Sequence, residues 1–150
     1  MSQFKQHILK ACIAILEDKI QSLNLIMQEV TNSANNETKS SAGDKHETAR
    51  AMMQLEQEKL SKQIADLAEQ KNEFDKIDFS ISSQKIIQGS LIETNKGYFL
   101  IATSLGKIAI KDKTVFIISS KSPLAITFNG KQINEMVMFN GVEYVILNVN

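Results

Sequence analysis

Apolar residues in the first half of the chain recur with a helical period. Leu9, Ile13, Leu16, Ile20, Leu23, Met27 and Val30 alternate spacings of four and three, which is a heptad seam. A second seam runs through Ala49, Met53, Leu60, Ile64, Leu67 and Phe74, with one break near Glu56-Gln57 where no apolar residue falls in register. The segment between them, Thr31-Asn32-Ser33-Ala34-Asn35-Asn36 and then Glu37 to Ala42, is rich in small polar residues that compete for backbone hydrogen bonds. A continuous helix is therefore not expected there. Two seams flanking one polar connection predict an antiparallel helical hairpin over residues 1–76, with its turn near 37–50. Arms of about 25 residues would project on the order of 40 Å at 1.5 Å per residue. The seam fits a long exposed arm, and it also fits ordinary core packing or self-association.

From Ile86 onward the period shortens to runs rich in β-formers, divided by turn residues. Ile86 to Thr94 and Tyr98 to Thr103 flank Asn95-Lys96-Gly97; Lys107 to Lys111 and Thr114 to Ser119 flank Asp112-Lys113. Met136 to Phe139 and Val142 to Val149 flank Asn140-Gly141, where both residues tolerate positive φ, so a tight hairpin is predicted. Ser122 can cap a short helix with Pro123 at its first position, where the missing amide is not needed. Residues 77–150 thus read as an antiparallel sheet with one short helix, and the whole chain as an α+β fold.

Composition narrows the function classes. The chain has 150 residues and equal numbers of acidic and basic side chains. That balance argues against a primary nucleic-acid or membrane-surface binder. Cys12 is the single cysteine and sits in an apolar helical stretch, so a buried, unreactive thiol is expected. The apolar run from Ile8 to Leu16 contains Lys10 and is followed by Glu17-Asp18, which fits an amphipathic helix and not a signal peptide. No stretch is long enough to span a membrane, and a cytoplasmic protein is expected. No glycine-rich phosphate loop, nucleophile elbow or Cys/His zinc spacing is present, so an enzyme acting alone is not expected.

The chemistry of interest lies at the expected hairpin turn, Gly43-Asp44-Lys45-His46-Glu47-Thr48-Ala49-Arg50. Asp44 and Glu47 are three residues apart, which places both carboxylates on one face of a first helical turn. The pair fits a capping box, Asp44 at the cap and Glu47 reaching back to it. On the residues alone the cap is the favoured reading, and an arm that delivers negative charge into another molecule is the alternative. His46 has no second His or Cys nearby and reads as a solvated side chain, not a metal ligand.

Other segments follow this tip in a fixed order: Ile77-Asp78, Gly89-Ser90, Ser122-Pro123-Leu124-Ala125, Gly130-Lys131, and Asn140-Gly141-Val142-Glu143-Tyr144-Val145-Ile146. Together they resemble the Gre family of bacterial transcript-cleavage factors, whose tip reads G-D-L-S-E-N-A and whose second domain carries S-P-I-A, then G-K, then a hairpin ending in Y-x-I. The resemblance implies an FKBP-like second domain. It implies docking on the rim of the RNA polymerase secondary channel through Ser122, Pro123 and Leu124. The hairpin would enter the channel as a monomeric factor, so that Asp44 and Glu47 help hold a second Mg²⁺ near the backtracked RNA 3′ end. The protein alone would not catalyse, since two carboxylates are too few ligands for the ion. Against the family pattern, Leu-Ser between the acids is Lys45-His46 here, Thr48 replaces Asn, and Arg50-Ala51 replaces Glu-Tyr. The family's E-A-D segment has no counterpart between Leu105 and Ser120. Lys45, His46 and Arg50 around the acids leave open a regulatory or inhibitory channel binder, and the seam leaves open a dimerising adaptor. A prolyl isomerase is not expected, because Tyr98, Phe99, Phe116, Phe128, Phe139 and Tyr144 are spread over several strands.

Overall fold

The computed structural model describes the backbone of residues 1–37 and 43–150 and the side chains of residues 1–36 and 47–150. Helices α1 (Gln3–Glu37) and α2 (Gly43–Asp75) come first. Strands β1 (Leu91–Thr94), β2 (Gly97–Ala102), β3 (Gly106–Ile110) and β4 (Lys113–Ser119) follow, then helix α3 (Pro123–Phe128) and strands β5 (Met136–Phe139) and β6 (Val142–Val149). The chain forms two compact units, one of residues 13–71 and one of residues 1–12 with 72–150. This is the α+β architecture that the two periodicities predict.

In the helical unit, Ile13, Leu16, Ile20, Leu23, Met27 and Val30 are the protected seam positions of α1, and Ala34 continues the series. On α2 the seam is Ala49, Met53, Gln57, Leu60, Ile64 and Leu67. The helices run antiparallel: Leu23 and Leu67 line one groove, Thr31 bonds Gln57, and Ala34 shares a recess with Gln54. Contrary to expectation, α1 does not stop after Val30 but continues to Glu37. Part of the reason is a cross-helix bond in which Gln57 Nε2 donates to Thr31 Oγ1 at 3.2 Å. A hydroxyl engaged by the neighbouring helix no longer competes for its own backbone. The remainder of the expected polar connection, residues 38–42, lies outside the described residues.

In the other unit all three predicted hairpins form. The turn Lys111-Asp112 has φ of 50° and 64°, and Asn140-Gly141 has 50° and 75°, the paired positive values of a type I′ turn. The six strands lie in the order β3-β4-β2-β1-β6-β5. Three details differ from the sequence reading, the first being that the β3–β4 turn is Lys111-Asp112 and not Asp112-Lys113, so that Lys113 already pairs with Ile110. The sheet is not wholly antiparallel, because β2 and β4 pair in parallel. The β3–β4 hairpin folds back with β3 outermost, which brings β4 beside β2. The first strand also begins at Leu91 and not at Ile86. Ile86 instead exchanges hydrogen bonds with the segment after α3, through Lys131 O at 2.9 Å and Gly130 N at 2.8 Å. Gly89 then turns the chain at φ +91°, and a Cβ there would lie 3.2 Å from both Asp78 O and Ile77 Cγ2. Only glycine fits that combination without strain.

One sheet face carries Ile92, Phe99, Ile101, Val137 and Ile146, packed with Ile86 and with Ala125 and Phe128 of α3. The other carries Leu91, Leu100, Val115 and Ile117, all buried, together with Tyr98. There the start of α1 adds Phe4, edge-on to Tyr98 at 5.0 Å. It also adds Lys5, which is 1 % exposed. Lys5 Nζ donates to Phe79 O at 2.8 Å and Asn150 O at 3.0 Å. Burial holds its pKa below the usual lysine value, partly offset by the nearby Asp78 carboxylate. Cys12 is buried as expected, and loss of hydration pushes its thiol up to about 12.

Candidate functional site

The acidic turn is built by the start of α2. The helix opens at Gly43, so Asp44 is already its second residue and Glu47 its fifth. Both acids therefore stand at the positive end of the helix dipole, where negative charge is favoured. The side chains of Asp44, Lys45 and His46 lie outside the described residues. Glu47 and Arg50 are exposed. Arg50 lines a recess of about 160 Å³ with Ala34, Asn35, Gln54 and Gln57, so it belongs to the polar part of the helix pair.

As a donor set, two carboxylates three residues apart match the hard-oxygen preference of Mg²⁺ but supply only part of its shell. Among the described residues no group of three or more His, Cys, Asp or Glu side chains is placed to hold a metal.

The Ser122-Pro123-Leu124 segment is the N-terminus of α3. Ser122 Oγ donates to Ser119 O at 2.7 Å and accepts from Ala125 N at 3.3 Å, so the hydroxyl is committed to capping. Pro123 opens the helix and is exposed, while Leu124 is half-buried against the core. The three residues thus act differently: Ser122 fixes the helix, Pro123 faces solvent, and Leu124 reaches inward.

What Leu124 reaches is an aromatic cleft that the sequence reading missed. Phe99, Phe116, Ile118, Leu124, Val142 and Tyr144 line it, with Lys96 as the one charged lining residue, around about 350 Å³. The parallel register of β2 and β4 sets Phe99 opposite Phe116, and their rings stack at 5.1 Å with an interplanar angle of 20°. Tyr144 of β6 meets Phe99 edge-on at 5.6 Å. Aromatics that look scattered along the chain are therefore gathered at one place. Their common signal is parity: Phe99 with Ile101, Phe116 with Ile118, and Tyr144 with Ile146 alternate onto one sheet face.

No helix among the described residues is long and apolar enough to cross a membrane. No protein-family model matches the chain, and no curated protein matches it. Among solved structures, the chain is similar to one described as "Structure of the transcription factor Gfh1", at 13 % identity and a TM-score of 0.35, covering 99 % of this chain and 95 % of that one.

Proposed function

We propose that this protein is a transcription elongation factor that binds RNA polymerase and stimulates cleavage of backtracked RNA. The observation that carries the reading is the ordered set of segments: G-D-x-x-E-x-A at the start of the second of two long antiparallel helices, then S-P-L-A, G-K and an N-G hairpin in an α+β unit. The second unit is read as FKBP-like. Its α3 N-terminus, with Ser122, Pro123 and Leu124, docks on the rim of the secondary channel. The helix pair enters the channel and presents Asp44 and Glu47 at the polymerase active site.

There the two carboxylates help hold a second Mg²⁺ together with groups of the polymerase. When bound, that ion supplies the charge that favours attack of water on a phosphodiester. The role of this chain is positioning: a helix start holds both acids on one face, at the end of the dipole where negative charge is favoured. The protein alone is not a nuclease.

A second reading is favoured by one specific feature, the basic residues Lys45 and Arg50 and the titratable His46 around the acids. A tip of that charge occupies the channel and pairs with RNA phosphate or with its own carboxylates, which makes a regulatory or inhibitory binder that does not stimulate cleavage.

Capture of purified core RNA polymerase on the immobilised protein tests the docking. Binding at a one-to-one ratio is expected, and Pro123→Ala should weaken it severalfold without changing the melting temperature by more than a few degrees. Capture unaffected by Pro123→Ala and Leu124→Ala would reject the assigned docking face.

A further inference from the structure

On the sheet face that meets the start of α1, four strands each bring one polar side chain to a single cavity of about 200 Å³. These are Glu93 of β1, Tyr98 of β2, Lys113 of β4 and Asn148 of β6, with Phe4 of α1 and Asn150 also in the walls. Strand register gathers them. Glu93 has Tyr98 and Asn148 as its direct cross-strand partners, and Lys113 stands two residues before Val115, the partner of Tyr98. Side chains two apart on a strand share a face. Asn150 is fixed in place, because Leu91 N and Lys5 Nζ both donate to its carbonyl oxygen.

The two charged groups of this cavity are held apart. Lys113 Nζ lies 4.9 Å from the centre of the Phe4 ring and 5.3 Å from that of Tyr98, and it donates to Tyr98 Oη at 3.4 Å. The rings therefore keep the ammonium at one wall. Glu93 is half-buried on a strand two places away in the sheet, about 10 Å across at the usual strand spacing. Among the described residues its carboxylate has no hydrogen bond or ion pair, and the Asn148 amide has none either. A charge partly withdrawn from water without a partner is costly, and a bound molecule that supplies the partner relieves that cost.

We infer that this cavity binds a small zwitterion, a free α-amino acid, with its ammonium on the Glu93 carboxylate and its carboxylate on the Lys113 ammonium. An α-amino acid carries both charges on one carbon, and with a charged hydrogen bond at each end it spans about 8 Å. That span is close to the separation of the two strands that carry Glu93 and Lys113. The Asn148 amide can donate to the carboxylate or accept from the ammonium. A cavity of this size suits a ligand smaller than the drug-sized molecules that fill pockets of about 300 Å³ and more. It lies on the sheet face opposite the aromatic cleft, and the inference does not rest on polymerase binding.

The test uses the full-length protein with L-alanine as the probe, and propionate and ethylamine as its two halves, at matched ionic strength. Backbone amide chemical shifts are followed to concentrations on the order of 10 mM, since a ligand of so few atoms supports an affinity on the order of 1 mM. Alanine should shift the amides of Glu93, Tyr98, Lys113 and Asn148. Each half should bind about tenfold more weakly, the loss of one charged hydrogen bond.

Glu93→Gln and Lys113→Gln keep polarity at positions that reach solvent, so neither should prevent folding. Each should weaken alanine binding about tenfold, and Asn148→Ala, which alters no charge, should weaken it severalfold. No shift with alanine, or shifts that map elsewhere, would overturn the inference. So would halves that bind as well as alanine, or alanine binding that survives loss of either charge.

Discussion

Gln57 Nε2 donates to Thr31 Oγ1 across the helix pair at 3.2 Å, at the one place where the apolar seam of α2 is interrupted. On one side of this bond the seam is hydrocarbon, with Leu16, Ile20, Leu23, Leu60, Ile64 and Leu67. On the other it turns small and polar, with Ala34, Asn35, Arg50 and Gln54 around a recess. A single polar contact in a heptad seam fixes alignment at some expense in stability. The double replacement Thr31→Val with Gln57→Leu should therefore raise the stability of the helix pair, by about 1 kcal/mol from the added apolar burial. Thermal unfolding followed by far-ultraviolet circular dichroism checks this. Distances between spin labels at Asn24 and Asp66, both exposed, should broaden in the same variant, because the register is then less constrained. A lower melting temperature would contradict the assignment.

The Ser122 hydroxyl is the cap of α3, and α3 is only six residues long. Ser122→Ala should cost about 1 kcal/mol of stability to denaturant, while Ser122→Asp should retain most of it. Equal stability of all three proteins would mean that the cap contributes nothing.

Two charged groups each make stability rise with pH, in two separate windows. Asp78 Oδ1 accepts from the Ser80 hydroxyl and from Ser80 N, and these bonds hold its carboxyl below the ordinary value of 3.8, with a lesser contribution from Lys5. Its stabilisation is present above 3.8 and is lost as pH falls through the lower folded value. The Lys5 amine has its folded pKa below 10.5, so between that lowered value and 10.5 the unfolded chain binds more protons and stability rises with pH. Denaturant unfolding of Lys5→Met against wild type across that window should show the wild-type rise missing in the variant. Parallel curves would reject a desolvated Lys5. Lys5→Glu should fail to fold, since its carboxylate would face two carbonyl oxygens.

Cys12 should react with maleimide only through opening of the unit that buries it. Burial and a thiol pKa of about 12 both suppress the thiolate in the folded state. The labelling rate should increase with denaturant in step with unfolding of the sheet unit. Fast labelling in native buffer would contradict the burial.

Much of this architecture is legible in the sequence because it is local. The seam from Leu9 to Val30, the Asn140-Gly141 turn and the Ser122-Pro123 helix start each depend on neighbours within a few residues. What is not legible depends on partners far along the chain. The continuation of α1 beyond Val30 draws on Gln57, and Ile86 is taken from the first strand by Gly130 and Lys131. The cleft requires β4 to lie beside β2, which no local pattern reveals. Lys5, at the polar end of an amphipathic pattern, gives no sign that two distant carbonyls await it. At the tip, the spacing of Asp44 and Glu47 is plain in the sequence, while the chemistry proposed for them draws on a second molecule.

The most direct test of the central claim is RNA cleavage in a stalled, backtracked elongation complex of RNA polymerase, with Mg²⁺ present. Transcript lengths are compared without the protein, with it, and with the Asp44→Ala, Glu47→Ala double variant. The account predicts shortened transcripts with the wild type alone, and a double variant that binds polymerase with unchanged affinity but leaves the RNA intact. Equal shortening by both proteins, or none by either, would contradict it.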